Sequence, residues 1–393
     1  MSTWFHFHFR LSILVKILIF LRLSKNSLIL ATDTNDICLT SNGVVTCQKE
    51  SSVNLTRIDG KKENHIDQVT LADGRHINLH TVSVKPLIIE IQDFLTKEEC
   101  EYFIQLAKDE GLENSQTYHN KNRKGQVELY DTNRDKKLSV EEMSLTIQGA
   151  FDTYLDNSDI LQMYKDENID KNNDEILTPD ELKNFSPSKL EKYIKKLLKK
   201  HPEKHSRYSQ QVWLYPDSSK DPVFKTLQER VSTIVNLPIE LIRMSDFQVV
   251  TYDIKGHYNA HFDSAMKDKS HRCCTRNIKT KCQGGETAFP VANNDTVDTY
   301  EVQNKNLVNL YKNCKDVSLK ISPKQGKAII WYNHFVDTED GWMGDMDNYT
   351  LHGGCPVIRG RKWIANFWIK TTDNKSEDLE KMKRLHKPDI LSD

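Results

Sequence analysis

The sequence predicts an α+β chain: a double sheet of jelly-roll type (a double-stranded β-helix) with supporting helices, interrupted by an inserted all-α pair of helix–loop–helix units. Three observations predict it. Beyond Tyr208, short runs rich in β-branched and aromatic residues, such as Phe247–Tyr252, Ala328–Trp331 and Lys362–Trp368, are punctuated by Gly and Pro, as the strands of a double sheet are. Two stretches crowded with Asp and Asn begin at Asp131 and Asp170, each followed by helical periodicity. Ahead of both, Pro86–Thr96 reads as an apolar strand running into a helix start.

In chain order, residues 1–31 come first. The apolar run from Arg10 to Leu23 is broken by Lys16 and is shorter than the ~20 residues a bilayer span needs, yet matches the ~7–15 of a signal-peptide core. A second patch, Leu28–Ala31, would extend it into an uncleaved anchor, so the segment reads as a signal peptide or a membrane anchor. Either leads into the secretory pathway. There, sequons at Asn54, Asn184, Asn294, Asn348 and Asn374 permit glycosylation, and the eight cysteines can pair, for instance Cys38 with Cys47, or among Cys273, Cys274, Cys282 and Cys314. Spacing leaves the connectivity open. The formal net charge of -1 gives no footprint for nucleic acid.

Residues 32–84 are polar and lack sustained periodicity, as a linker or stalk would. Residues 85–126 read as a support layer: Thr96 is an N-cap with Glu99 three residues on, and Phe103, Ile104 and Ala107 give the helix an apolar face.

Residues 127–200 read as an EF-hand pair. Asp131, Asn133, Asp135, Lys137, Ser139 and Glu142 fill positions 1, 3, 5, 7, 9 and 12 of a Ca²⁺ loop, and Asp170, Asn172, Asp174, Ile176, Thr178 and Glu181 repeat the pattern. Short oxygen-bearing side chains wrap the ion and the last Glu supplies both oxygens. Position 6, ordinarily Gly for a turn with positive φ, is Lys136 in one loop and Glu175 in the other, which strains the turn and lowers affinity. Met143, Ile147 and Phe151 form one apolar stripe, and Leu190, Tyr193, Ile194, Leu197 and Leu198 another, the lysines of the second helix making a solvated face rather than a membrane-binding one.

Residues 205–372 carry the chemistry, and residues 373–393 read as a polar tail. His261-Phe262-Asp263 and the distant His352 supply two imidazoles and a carboxylate, the facial ligand set of non-haem Fe(II) oxygenases, which leaves positions open for a cosubstrate and O₂. Tyr252 and Tyr258 precede the triplet, and the second histidine opens His352-Gly-Gly-Cys355-Pro356-Val357, with Lys362 ten residues beyond it. Gly284-Gly-Glu-Thr287 and Gly326–Asn333 complete the set of motifs.

On these motifs, over roughly Ser83 to Ile369, the chain closely resembles the prolyl 4-hydroxylases, above all the type found in the endoplasmic reticulum that joins a membrane segment and an EF-hand pair to this domain. The resemblance implies an Fe(II)- and 2-oxoglutarate-dependent dioxygenase using O₂ and ascorbate, which converts 2-oxoglutarate to succinate and CO₂ while hydroxylating C4 of a peptidyl proline. It implies that His261, Asp263 and His352 hold the iron, that Lys362 receives the far carboxylate of 2-oxoglutarate with Tyr252 and Thr287 bonding the cosubstrate, and that Tyr258 and Trp368 flank the substrate proline. The partner is then a proline-containing protein or peptide, with a regulatory protein such as hypoxia-inducible factor favoured over collagen because no helical peptide-binding module is evident. Two alternatives stay open: an inactive Ca²⁺-binding protein of the secretory lumen, or an oxygenase with another target such as lysine. Oligomeric state is not legible.

The chain departs from the family at Ser264–Gln283. Relatives carry a long apolar strand between the two motifs, whereas these twenty residues include Lys267, Asp268, Lys269, Arg272, Arg276, Lys279 and Lys281. The expectation is a missing core strand, unpaired sheet edges and an inactive or poorly folded chain, unless Leu307–Tyr311 is recruited to fill the gap.

Overall fold

The computed structural model describes residues 36–115, 130–183, 185–215, 220–264, 275–279, 283–295, 302 and 307–386. The segment read as signal peptide or anchor lies outside them, and among the described residues no helix is long and apolar enough to cross a membrane.

Two antiparallel sheets face each other. The nine-stranded major sheet runs in the order Ile66–Thr70, His76–Val84, Leu87–Ile91, Ala328–Trp331, Thr275–Lys279, Lys362–Trp368, Asp246–Tyr252, Gln210–Leu214 and Glu113–Asn114. The five-stranded minor sheet runs Leu319–Ile321, Thr287–Phe289, His352–Gly354, His257–His261 and Arg207–Tyr208. Period-two alternation assigns the faces. In Lys362–Trp368, the residues Trp363, Ala365 and Phe367 pack outward into the main core, whereas Ile364 packs with Val250, Tyr252 and Val357. Outward-facing Phe247 meets Phe103 at 5.1 Å, Phe224 at 5.4 Å and Phe367 at 5.7 Å between ring centroids, joining the helices Lys97–Glu110 and Pro222–Val235 to the sheet. The first of these begins with the expected capping box: Thr96 Oγ1 accepts from Glu99 N–H, and the Glu99 carboxylate accepts from Thr96 N–H.

Four expectations are corrected. First, the region between the two motifs does contain a strand. Thr275–Lys279 sits inside the major sheet, with Thr275 and Arg276 opposite Ile329 and Ala328 on one side and Thr275–Lys279 opposite Asn366–Trp363 on the other. The polar composition concealed it. A central strand is held by backbone ladders on both edges, and strand propensity gives way to such context. With it the predicted gap disappears, and so does the premise for an inactive fold; Leu310–Asn313 is helical and no strand is recruited there. Second, residues 36–84 are no stalk. The hairpin Asp36–Ser41/Val44–Lys49 buries Ile37 and Leu39, and His76–Val84 buries Ile77 and Leu79 on alternate positions; polar Thr81 and Ser83 at the next two inward positions masked the period. Third, the tail begins with a helix, Lys375–His386, whose Leu379 and Met382 are fully buried. Fourth, Cys38 pairs with Cys47 as one option had it, but Cys314 pairs with Cys355; Cys273, Cys274 and Cys282 lie outside the described residues.

The insert is helical, with Val140–Phe151, Asn157–Glu167, Pro179–Lys183 and Pro187–Lys200 around their own core of Met143, Ile147, Ile160, Met163, Leu190 and Ile194. It docks on the minor sheet. Ser206 N–H donates to Asp152 O at 3.0 Å, Lys204 pairs with Asp159 at 2.5 Å, and Lys312 pairs with Asp156.

Candidate metal and cosubstrate site

The minor sheet brings the sequence-distant histidines together, since His261 and His352 are direct neighbours in register on adjacent strands. Asp263 lies between them just past the strand end. Its Oδ1 is 3.5 Å from His261 Nε2 and its Oδ2 is 3.4 Å from His352 Nε2, and the ligand atoms of all three lie within 4.8 Å of one another. Each ring is oriented by a carbonyl two residues upstream: His261 Nδ1–H donates to Asn259 O and His352 Nδ1–H to Thr350 O, both at 2.8 Å. A carbonyl only accepts, so these bonds place the proton on Nδ1 and leave the Nε2 lone pairs facing Asp263. Burial holds the His352 pKa down to about 4, against the raising influence of Asp263, so the ring is neutral and able to ligate at physiological pH. Trp331 packs on His352 at 4.7 Å, and Tyr258 stacks on His261 at 3.6 Å.

The predicted cosubstrate residues converge beside this cluster. Gly354 stands opposite both Tyr258 and Thr287 in the minor sheet, and Lys362 stands opposite Tyr252 in the major one. The first glycine after His352 has a steric reason. A Cβ at Gly353 would fall 2.4 Å from Tyr258 O, whereas one at Gly354 would make only ordinary contact, 3.7 Å from Lys362 Nζ. Lys362 is 2% exposed, with its ammonium 5.2 Å from the Tyr252 ring centroid. Burial raises the Tyr252 pKa, keeping the phenol protonated as a donor. Trp368 is placed differently. Six residues along the strand from Lys362, roughly 20 Å by strand rise, it donates from Nε1 to Gln248 Oε1 at 3.3 Å and lies 6.4 Å from Trp213.

Sequence reasoning missed Arg207, whose guanidinium lies 4.7 Å over the Tyr258 ring, donates from Nε to Ser209 Oγ at 3.1 Å, and opposes the rise that burial gives the Tyr252 pKa. The only hint was its position at the start of the segment that resumes the sheet after the insert.

In the acidic loops, the antiparallel bridge Leu138–Leu177 ties the two together through reciprocal N–H···O bonds of 2.9 Å. Lys136 and Glu175 adopt φ of 65° and 66° despite their Cβ atoms, and their N–H groups donate to Asp131 Oδ2 at 2.9 Å and Asp170 Oδ2 at 3.0 Å. Glu142 accepts from Thr132 and Ser139, and Glu181 from Lys171 and Thr178. Asp170 Oδ1 is buried without a hydrogen-bond partner, an oxygen that a bound cation would satisfy.

Two imidazoles and a carboxylate converging in this way have the composition of a non-haem Fe(II) ligand set, and the sequence pattern of the 2OG-Fe(II) oxygenase superfamily matches residues 247–370. The chain is 32% identical over 369 residues to the transmembrane prolyl 4-hydroxylase of Homo sapiens, covering 84% of this chain and 73% of that one, and 31% identical to the Mus musculus protein with the same coverage. It therefore belongs to the prolyl 4-hydroxylase family of Fe(II)- and 2-oxoglutarate-dependent oxygenases. Among solved structures, a viral collagen prolyl hydroxylase from Paramecium Bursaria Chlorella virus-1 in complex with 2OG aligns with a TM-score of 0.36 at 20% identity, covering 72% of this chain and 96% of that one.

Proposed function

We propose that this chain hydroxylates C4 of prolyl residues in a polypeptide, with iron held by His261, Asp263 and His352, and with two Ca²⁺ ions held by the acidic loops. The observation that carries the first part is the triad itself, whose Nε2 atoms and carboxylate face one another with both Nδ1 protons tied off. Bound Fe(II) would supply the O₂ chemistry that couples decarboxylation of 2-oxoglutarate to C–H hydroxylation, with ascorbate as the reductant that keeps the metal ferrous. The chain's own groups do the positioning. Lys362, buried between the sheets, offers one ammonium to the far carboxylate of 2-oxoglutarate, a charge-assisted bond strengthened by exclusion of water. The Tyr252 phenol and the Thr287 hydroxyl, also buried, bond the same carboxylate and fix its register. Tyr258, stacked on His261, and Trp368 flank the prolyl ring of the substrate, as the resemblance to the family implies.

For calcium, Asp131, Asn133, Asp135, the Lys137 carbonyl and Glu142 form one oxygen set, and Asp170, Asn172, Asp174, the Ile176 carbonyl and Glu181 the other. The orphaned Asp170 Oδ1 supports the second directly. The disulfides Cys38–Cys47 and Cys314–Cys355 support an oxidising compartment, in keeping with an endoplasmic-reticulum protein that residues 1–31 deliver as a lumenal or anchored chain.

The test is a panel of proline-containing peptides incubated with purified chain, Fe(II), 2-oxoglutarate and ascorbate, with succinate assayed and each product fragmented by mass spectrometry. Oxygen on a prolyl residue is expected. Oxygen on lysine would move the reading to another oxygenase target, and no succinate with any substrate would leave an inactive Ca²⁺-binding protein.

A further inference from the structure

The three members of the triad are not equally placed. His261 and His352 sit on paired strands, whereas Asp263 lies in the bend that leaves the strand His257–His261, where no ladder sets its direction. The next residue, Ser264, is 7% exposed, and its hydroxyl lies 2.8 Å from Nε2 of His334, itself 2% exposed. On the other side of the His334 ring, Nδ1 lies 2.9 Å from the carbonyl of Gly344. That carbonyl can only accept, so the neutral ring carries its proton on Nδ1, and Nε2 must accept from the Ser264 O–H. We propose that His334 is a positioning residue for the carboxylate ligand Asp263, acting through Ser264 from a segment that braces both ends of the iron site.

The segment's other contacts fit that role. Trp331 packs against the His352 ring and donates from Nε1 to Asn333 Oδ1 at 3.0 Å. Asn333 O accepts from Asp347 N–H at 2.8 Å, Asp347 O accepts from Thr350 Oγ1 at 2.7 Å, and Thr350 O receives the Nδ1 proton of His352. Residues 331–334 thus reach His352 by ring packing and by a hydrogen-bonded chain, and reach the Asp263 bend through His334. A buried neutral imidazole suits the position because one flat ring donates to a carbonyl at one end and accepts a hydroxyl at the other. Leucine fills the volume and does neither. Glutamine can donate with its NH₂ and accept with its oxygen, so it retains part of the function.

The inference rests on Asp263 being an iron ligand, which metal content of an Asp263→Ala protein checks separately. The experiment is an anaerobic Fe(II) titration of the full chain, together with the ligand-field spectrum of the Co(II) form, a signature that a merely structural role would not move. His334→Leu should weaken metal binding about 10–100-fold, the usual effect of removing an outer partner of a ligand, and shift the Co(II) bands. Ser264→Ala removes the same bond from the other side without emptying a core position, and should do likewise. His334→Gln should recover much of the loss, and the double variant His334→Leu/Ser264→Ala should be no worse than His334→Leu alone. Wild-type affinity and spectrum in folded Ser264→Ala, or additive losses in the double variant, would overturn the proposal. If His334→Leu fails to fold, Ser264→Ala and His334→Gln decide it.

Discussion

The His261–Asp263–His352 cluster and the two acidic loops differ in where the hydrogen bonds of their ligand groups go. In the cluster, backbone carbonyls take the Nδ1 protons of two histidines on paired strands, so their Nε2 atoms already face the Asp263 carboxylate in the bend just past the strand end. In the loops, the twelfth-position glutamates are spent on their own chain: Glu142 accepts from Thr132 and Ser139, and Glu181 from Lys171 and Thr178. A cation bound there would have to exchange some of those bonds for its own. The lesson is that paired strands fix the direction of the two imidazoles in advance, as a metal with few protein ligands and open positions demands, whereas a loop of many oxygens leaves more of the geometry for a bound cation to complete.

The sharpest way to break this comparison is His352→Ala, which should abolish both iron binding and 2-oxoglutarate turnover while leaving Ca²⁺ binding intact. Stoichiometric iron by metal analysis of that variant would refute the triad. Next in size, Phe247→Ala removes the ring on which Phe103, Phe224 and Phe367 converge, and denaturant unfolding should show a loss of about 3–5 kcal/mol. Lys362→Ala should keep its iron and raise the KM for 2-oxoglutarate by an amount corresponding to about 1.5–3 kcal/mol; an unchanged KM would remove Lys362 from the cosubstrate site. Glu142→Ala with Glu181→Ala should eliminate the calorimetric Ca²⁺ heat and leave Fe(II) affinity as in wild type. The smallest effect is expected from Lys136→Gly or Glu175→Gly. Both positions have positive φ, so each glycine should stabilise the folded insert by up to about 1 kcal/mol, read as a raised melting midpoint. A lowered midpoint would mean that neither turn is strained.

The triad was legible because ligand chemistry restricts residue type as well as spacing, and Thr96 with Glu99 because a cap is a local contract between residues three apart. What escaped notice depended on distant partners. Thr275–Lys279 is a strand because Ala328–Trp331 and Lys362–Trp368 stand on either side of it, a condition no local pattern contains. His76–Val84 hides its alternation because Thr81 and Ser83 occupy inward positions alongside Ile77 and Leu79. The tail helix is anchored by the Trp342 Nε1–H bond to Asp378, 3.2 Å long between residues 36 apart. Arg207 and His334 act on the site through Tyr258 and Ser264, and such indirect roles have no spacing rule to betray them.

If His261, Asp263 and His352 hold the iron, they leave positions open for a cosubstrate whose far end Lys362 receives. The most direct test is an anaerobic titration of the Fe(II)-loaded chain with 2-oxoglutarate, followed by the visible charge-transfer absorption that a keto acid chelating ferrous iron produces. A saturable band is expected in wild type, the same band at higher 2-oxoglutarate concentration in Lys362→Ala, and none in His352→Ala. A band of wild-type strength in His352→Ala, or no band in the iron-loaded wild-type chain, would contradict this assignment.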